Sequence, residues 1–134
     1  MRVKDVMNKE PYILYEEDTV LDASKFMKKE RIRNLPVVDK NNKLIGLVTL
    51  REIIEGIVAK KEKALVKDVM LKEVKSVESE APLKGAIQIM LINKFGCLPV
   101  IDSSKKLQGI ITEADLLKIL YERVTLPDDL YQVT

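Results

Sequence analysis

The chain has 134 residues, 46% apolar and 33% charged, with five glycines and five prolines, a composition that fits one globular domain and excludes a disordered one. Its 23 lysines and arginines nearly cancel 21 aspartates and glutamates, which counts against a nucleic-acid partner, since such binders carry a basic excess. There is no histidine and one cysteine, Cys97, so His-based acid–base or nucleophile chemistry, His-containing zinc sites and an internal disulfide are excluded.

Elements follow in chain order. Tyr12–Tyr15 reads as a short strand, and Asp18 and Thr19 cap a helix with Val20, Ala23, Phe26 and Met27 at helical spacing. Leu35–Val38 and Leu44–Val48 form a hairpin around the polar turn Asp39–Asn42. Thr49 opens a second helix with Leu50, Ile53, Ile54, Ile57 and Val58 on its apolar side, giving the order β-α-β-β-α.

That order then recurs. Residues 3–55 align with 66–118 at a constant offset of 63, with eighteen of 53 positions identical: VKDVM returns as VKDVM, LPVVD as LPVID and KLIGLVT as KLQGIIT. Pro82 falls near the first turn of the second copy's first helix, where a missing N–H costs nothing. Pro36 and Pro99 are expected at a strand start or edge, because proline cannot donate to a sheet ladder. A unit of about 60 residues is marginal by itself, so the copies are expected to pack on each other about a pseudo-twofold axis, with any groove at their junction occurring twice. The divisions are repeat 1 at 1–59, linker and repeat 2 at 60–124, and a tail at 125–134.

Each copy carries the pattern G-h-h-T-x-x-[D/E], where h is apolar: Gly46 to Glu52 and Gly109 to Asp115. One reading is a capping box, in which Thr and the acid satisfy free N–H groups at the helix start. The other uses the same geometry for a ribose phosphate: free N–H groups and a hydroxyl face an anion while the carboxylate accepts from sugar hydroxyls. The motif alone leaves both open.

Two β-α-β-β-α units, each with an h-P-V-h-D strand and this turn, closely resemble a tandem pair of cystathionine β-synthase (CBS) domains, a Bateman module. The resemblance covers all but the last ~15 residues. It implies an α/β (α+β) fold with two repeats packed through small mixed sheets, and a sensor of adenosine-containing ligands: AMP, ADP, ATP or S-adenosylmethionine. It further implies two clefts, each closed by the turn of one repeat and the strand approaches of the other. Carried over, the first cleft joins Ile110, Thr112 and Asp115 to Met7, Tyr12, Ile13, Ile32, Arg33 and Pro36. The second joins Leu47, Thr49 and Glu52 to Met70, Lys75, Ser76, Phe95, Gly96 and Pro99. The first is preferred, because Asp115 keeps the family's acid whereas Glu52 is one methylene longer, and because Arg33 faces a Gly96 counterpart.

Other features read as structure. Met27 and Met90 are core residues, Arg31 and Arg33 with Glu30 fit a solvated surface cluster when the repeat is set aside, Lys60–Lys63 is a solvated linker, and Cys97 is an inert thiol. The apolar residues of the tail either dock on a partner chain or hang loose. The expectation is a non-catalytic, cytoplasmic regulatory module with no metal and no membrane partner, acting as a homodimer and signalling to an unknown downstream protein. A lone thiol, a polar N-terminus and the lack of any long apolar run support that location. The alternative is a purely structural or dimerisation module.

Overall fold

A computed structural model describes residues 1–59 and 63–124. The linker residues 60–62 and the tail 125–134, about which the sequence raised expectations, lie outside the described residues. In repeat 1, α1 spans Val20–Glu30, β1 Asn34–Val38, β2 Leu44–Thr49 and α2 Leu50–Val58. After the linker come α3 (Val66–Val69), β3 (Val77–Glu78), α4 (Leu83–Asn93), β4 (Cys97–Ile101), β5 (Leu107–Thr112) and α5 (Glu113–Arg123). The fold is mixed α+β, with β1 and β2 in one small antiparallel sheet and β3, β4 and β5 in the other.

The hairpins form where expected. In each turn an Asp side chain accepts two backbone N–H groups: Asp39 from Asn41 and Lys43, Asp102 from Ser104 and Lys106. The two turns then pair with each other. Leu44 N–H donates to Lys105 O and Leu107 N–H to Asn42 O, both at 3.0 Å, around a Lys43–Lys106 bridge. That reciprocity marks the pseudo-twofold axis.

The first strand of each copy is shorter than the sequence implied. In repeat 1 it reduces to a parallel bridge from Leu14 to Val37, and in repeat 2 to two residues, Val77 and Glu78. The prolines explain this; Pro36 lies on an edge strand of its two-stranded sheet, as expected, whereas the placement of Pro99 corrects the expectation of a strand start or edge. Pro36 and Pro99 lie third in five-residue strands, β4 being central in its sheet. Pro36 is tolerated because its β2 partner Leu47 directs both backbone groups to Leu71 instead. On the other edge Pro36 O accepts from Leu14 N–H and Leu14 O accepts from Val38 N–H. Pairing farther upstream would need the N–H that Pro36 lacks, so Tyr12 and Ile13 leave the sheet, and Tyr12 and Tyr15 stay exposed.

The identical VKDVM segments exchange places. Val3, in a 3-10 turn at Val3–Asp5, is fully buried in the core of repeat 2 with Leu98, Val100 and Ile111. Val66 of α3 is fully buried in the core of repeat 1 with Leu35, Val37 and Val48. Behind these turns the chain pairs with the opposite repeat, Asn8 with Ile110 and Leu71 with Leu47, through two backbone hydrogen bonds each. Each core therefore closes only with a piece of the other copy.

Met27 and Met90 are core residues, as expected. The apolar face foreseen for α2 is not one buried stripe. Ile53 enters the first core, while Leu50, Ile54, Ile57 and Val58 remain exposed.

Candidate functional site

Two cavities open between the repeats, of about 650 and 670 Å³. In the first, β5 and the start of α5 supply Ile110, Thr112 and Asp115, and the approaches to β1 supply Tyr12, Ile32 and Arg33. In the second, β2 and α2 supply Leu47, Thr49 and Glu52, and the approaches to β4 supply Lys75, Phe95 and Gly96. The structure thus brings six of the nine expected residues to each cavity.

The others lie elsewhere for clear reasons. Met7 and Met70 pack beneath Gly109 and Gly46, against the two cores. Pro36 and Pro99 are buried inside strands, and Ile13 and Ser76, both half-buried, do not reach the cavity walls.

The turn residues differ between the clefts. At the first, the box is closed on both sides: Thr112 N–H and Oγ1 donate to Asp115 Oδ2 at 2.8 and 2.9 Å, and Asp115 N–H donates back to Thr112 Oγ1 at 3.3 Å. Both contacts use one oxygen. Asp115 Oδ1 takes no hydrogen bond among the described residues and remains an available acceptor. At the second, Glu52 Oε1 accepts Thr49 N–H at 2.6 Å, and the Glu52 side chain folds back until the residue is only 7% exposed. Asp115 caps α5 in the same way, so what sets Glu52 apart is its burial.

Tyr12 forms one wall of the first cleft. Its ring stands edge-on to Phe26, with centroids 4.9 Å apart, and its hydroxyl donates to Glu30 at 3.1 Å. The hydrogen bond to that carboxylate, and its charge, raise the phenol above its ordinary pKa. An aromatic face held from two sides suits stacking against a planar ring.

Several wall residues escaped the sequence reading. Arg31, assigned there to a surface cluster, lines the first cleft together with Arg33 and Arg51. Among the described residues none of the three pairs with a carboxylate. They face two wall carboxylates, Glu113 and Asp115. Among its described residues the second cleft sets Arg51, Lys75 and Lys94 against Glu52, Glu55 and Glu73 and is balanced. Arg51 occupies an unspecified position of the turn motif, so the motif held no signal for it. Cys97 lines the second cleft but is buried, and burial pushes its thiol up to about 12.

A family model for the CBS domain matches residues 3–59 and again 66–122, repeating the offset of 63. The chain belongs to the CBS-domain family. Its two repeats make one CBS pair. An uncharacterised 17.7 kDa protein of Acidianus ambivalens is 31% identical over 125 residues, covering 93% of this chain and 76% of that protein. Inosine-5'-monophosphate dehydrogenase of Methanocaldococcus jannaschii is 38% identical over 116 residues, covering 87% of this chain but 22% of the enzyme.

Among solved structures, the CBS pair of protein MJ0100 in complex with 5'-methylthioadenosine and S-adenosyl-L-methionine is 25% identical. Its TM-score is 0.82, and the match covers 90% of this chain and 99% of that one. CBSX2 in complex with AMP is also 25% identical, with a TM-score of 0.80 and coverage of 90% and 96%. Among the described residues of this CBS pair, no helix is long and apolar enough to cross a membrane, and no group of His, Cys, Asp or Glu is placed to hold a metal ion.

Proposed function

We propose that this CBS pair is a non-catalytic regulatory module that binds an adenosine-containing ligand between its repeats and passes occupancy to a partner protein. The observation that carries the reading is the first cleft. An acceptor at Asp115 Oδ1 and the helix start at Thr112 share a 650 Å³ cavity with an aromatic wall at Tyr12 and three guanidiniums. A ribose diol matches the carboxylate, a phosphate matches the helix start and the arginines, and an adenine matches the Tyr12 and Ile32 side. Related pairs solved with AMP, or with methylthioadenosine and S-adenosylmethionine, support the ligand class. AMP, ADP, ATP and S-adenosylmethionine all belong to it, and the cationic walls favour the phosphorylated members.

The mechanism is linkage. Each core holds a segment of the other repeat, so a ligand that prefers one packing of the repeats shifts both cores together. The reading includes a cytoplasmic homodimer. Leu91 and Ile92 on α4, with Leu117, Leu120 and Tyr121 on α5, leave apolar surface exposed that a second copy would cover.

A second reading has its own support, because both turns already act as helix caps. A purely structural module would need nothing more. Calorimetry with AMP, ATP and S-adenosylmethionine separates the two. Heat that saturates supports the sensor; no heat with any of the three, from folded ligand-free chain, leaves only the structural module.

A further inference from the structure

Arg51 borders both clefts. It lies at the second position of α2, and among the described residues only Asn34, Thr49 and Gly96, all uncharged, join it in lining the two cavities. The repeat symmetry breaks at this position. The residue 63 places on is Ala114, which lines the first cleft alone. Among the described residues the junction between the clefts therefore holds one cation where strict symmetry would give two or none. Among the described residues Arg51 has no ion-pair partner, although Glu55, one turn along α2, lines the second cleft with it.

A guanidinium recognises phosphate as a planar fork, and one fork engages one phosphate well at a time. Two phosphates drawn toward the same residue also repel each other, and within about 8 Å physiological salt screens that repulsion incompletely. We propose that Arg51 is an anion-binding residue shared by the two clefts, so that a phosphorylated ligand in one weakens the binding of a phosphorylated ligand in the other. This rests on the ligand reading above and adds to it a coupling between the sites, carried by one residue and dependent on ligand charge. An uncharged nucleoside makes no demand on Arg51, so it fills the two clefts independently.

The test is a titration of the whole chain with AMP and, separately, with adenosine, followed by backbone amide resonances. Ala114 reports the first cleft and Val74 the second, since each lines one cavity only. The two curves together yield both affinities and the factor by which one occupancy alters the other. In the wild type AMP is expected to show negative coupling of about 5- to 20-fold, in the lower part of the usual range, and adenosine none. In Arg51→Ala the AMP coupling should fall below about twofold while both curves move to weaker binding; Arg51 is exposed, and a far-UV spectrum checks that the variant stays folded.

AMP coupling of unchanged size in Arg51→Ala overturns the proposal, as does independent filling of the wild-type clefts by AMP. If AMP fills only one cleft of the wild type, filling of both clefts by adenosine supports the proposal and single occupancy by adenosine overturns it. A wild type that binds neither AMP nor adenosine overturns the ligand reading itself, and the coupling with it.

Discussion

Gly109 lies directly against the backbone of Asn8: a Cβ added there would stand 2.5 Å from the Asn8 carbonyl oxygen and 3.0 Å from Met7 Sδ. The glycine of the turn motif is thus demanded by a crossing chain, and its φ is not in the left-handed region. Gly46 has the same place in repeat 1, but its added Cβ would meet the flexible Met70 Sδ at 2.5 Å and the Leu71 oxygen only at 3.0 Å. Both alanine variants should lose stability, Gly109→Ala by about 2–3 kcal/mol and Gly46→Ala by about 1 kcal/mol, within the range for overpacking. Urea unfolding measures the order, and equal losses would refute the distinction between backbone and side-chain clash. Asn8 and Ile110 both line the first cleft, so Gly109→Ala should also weaken AMP binding.

The two acids of the turns should part company on substitution. Asp115→Ala removes the cap of α5, at a cost in stability of about 1 kcal/mol. It also removes an acceptor from the first cleft, so it should weaken AMP binding by about 1–3 kcal/mol, the scale of a lost charged hydrogen bond. Glu52→Ala removes a buried cap and should cost stability by about 1–2 kcal/mol while leaving AMP affinity at the first cleft within about twofold. Calorimetry and urea unfolding on both variants give the comparison. A Glu52→Ala that loses AMP as heavily as Asp115→Ala would undo the assignment of Glu52 to capping.

Local features of this CBS pair were legible in the sequence because their causes are local. Thr19 accepts Asp22 N–H at the start of α1, and Asp39 and Asp102 close their hairpin turns within four residues. The lost strand at Tyr12 and Ile13 has its cause 24 residues later, at Pro36, and period-2 patterning does not look that far. The exchange of VKDVM segments was invisible for a different reason. Val3 and Val66 sit in identical pentapeptides, so nothing local says that each serves the other's core. At the site, Tyr12, Ile32 and Arg33 came from the family pattern. Arg51 did not, because families share the fixed positions of a motif and this chain's shared cation stands at a free one.

Another expected outcome comes from backbone strain. Among the described residues four other than glycine have positive φ, and they fall in repeat-related pairs: Arg31 with Lys94 after the first helices, Asn42 with Lys105 in the hairpins. Asn42 tolerates φ 64° and also donates its Nδ2 to Leu107 O at 3.1 Å, tying the two turns together. Lys105, at φ 65°, has no such donor and no intrinsic preference for that region. Lys105→Asn should stabilise the chain by about 0.5–1 kcal/mol, by relieving that preference and supplying the symmetric bond. The urea midpoint checks it, and a lowered midpoint would show that Lys105 makes a contribution the turn geometry does not reveal.

Cys97 gives a prediction with a definite sign in pH. The residue is 4% exposed, packed with Leu47 and Ile110 where the sheets meet, and burial alone lifts its thiol from about 9 to about 12. A folded-state pKa above the unfolded value means that the native chain holds a proton the unfolded chain releases. The stability this contributes is complete below about pH 9 and is lost progressively as pH rises from there toward 12. Cys97→Ala should therefore show a shallower alkaline fall in urea midpoint than the wild type between pH 8 and about pH 11, although it is less stable at neutral pH from the lost packing. The same burial protects the thiol. At pH 8 an aromatic disulfide reagent should modify native Cys97 far more slowly than the unfolded chain, because burial both excludes the reagent and suppresses the thiolate. Parallel alkaline limbs in the two proteins, together with rapid native modification, would mean that the sheets open at Cys97 far more readily than their packing implies.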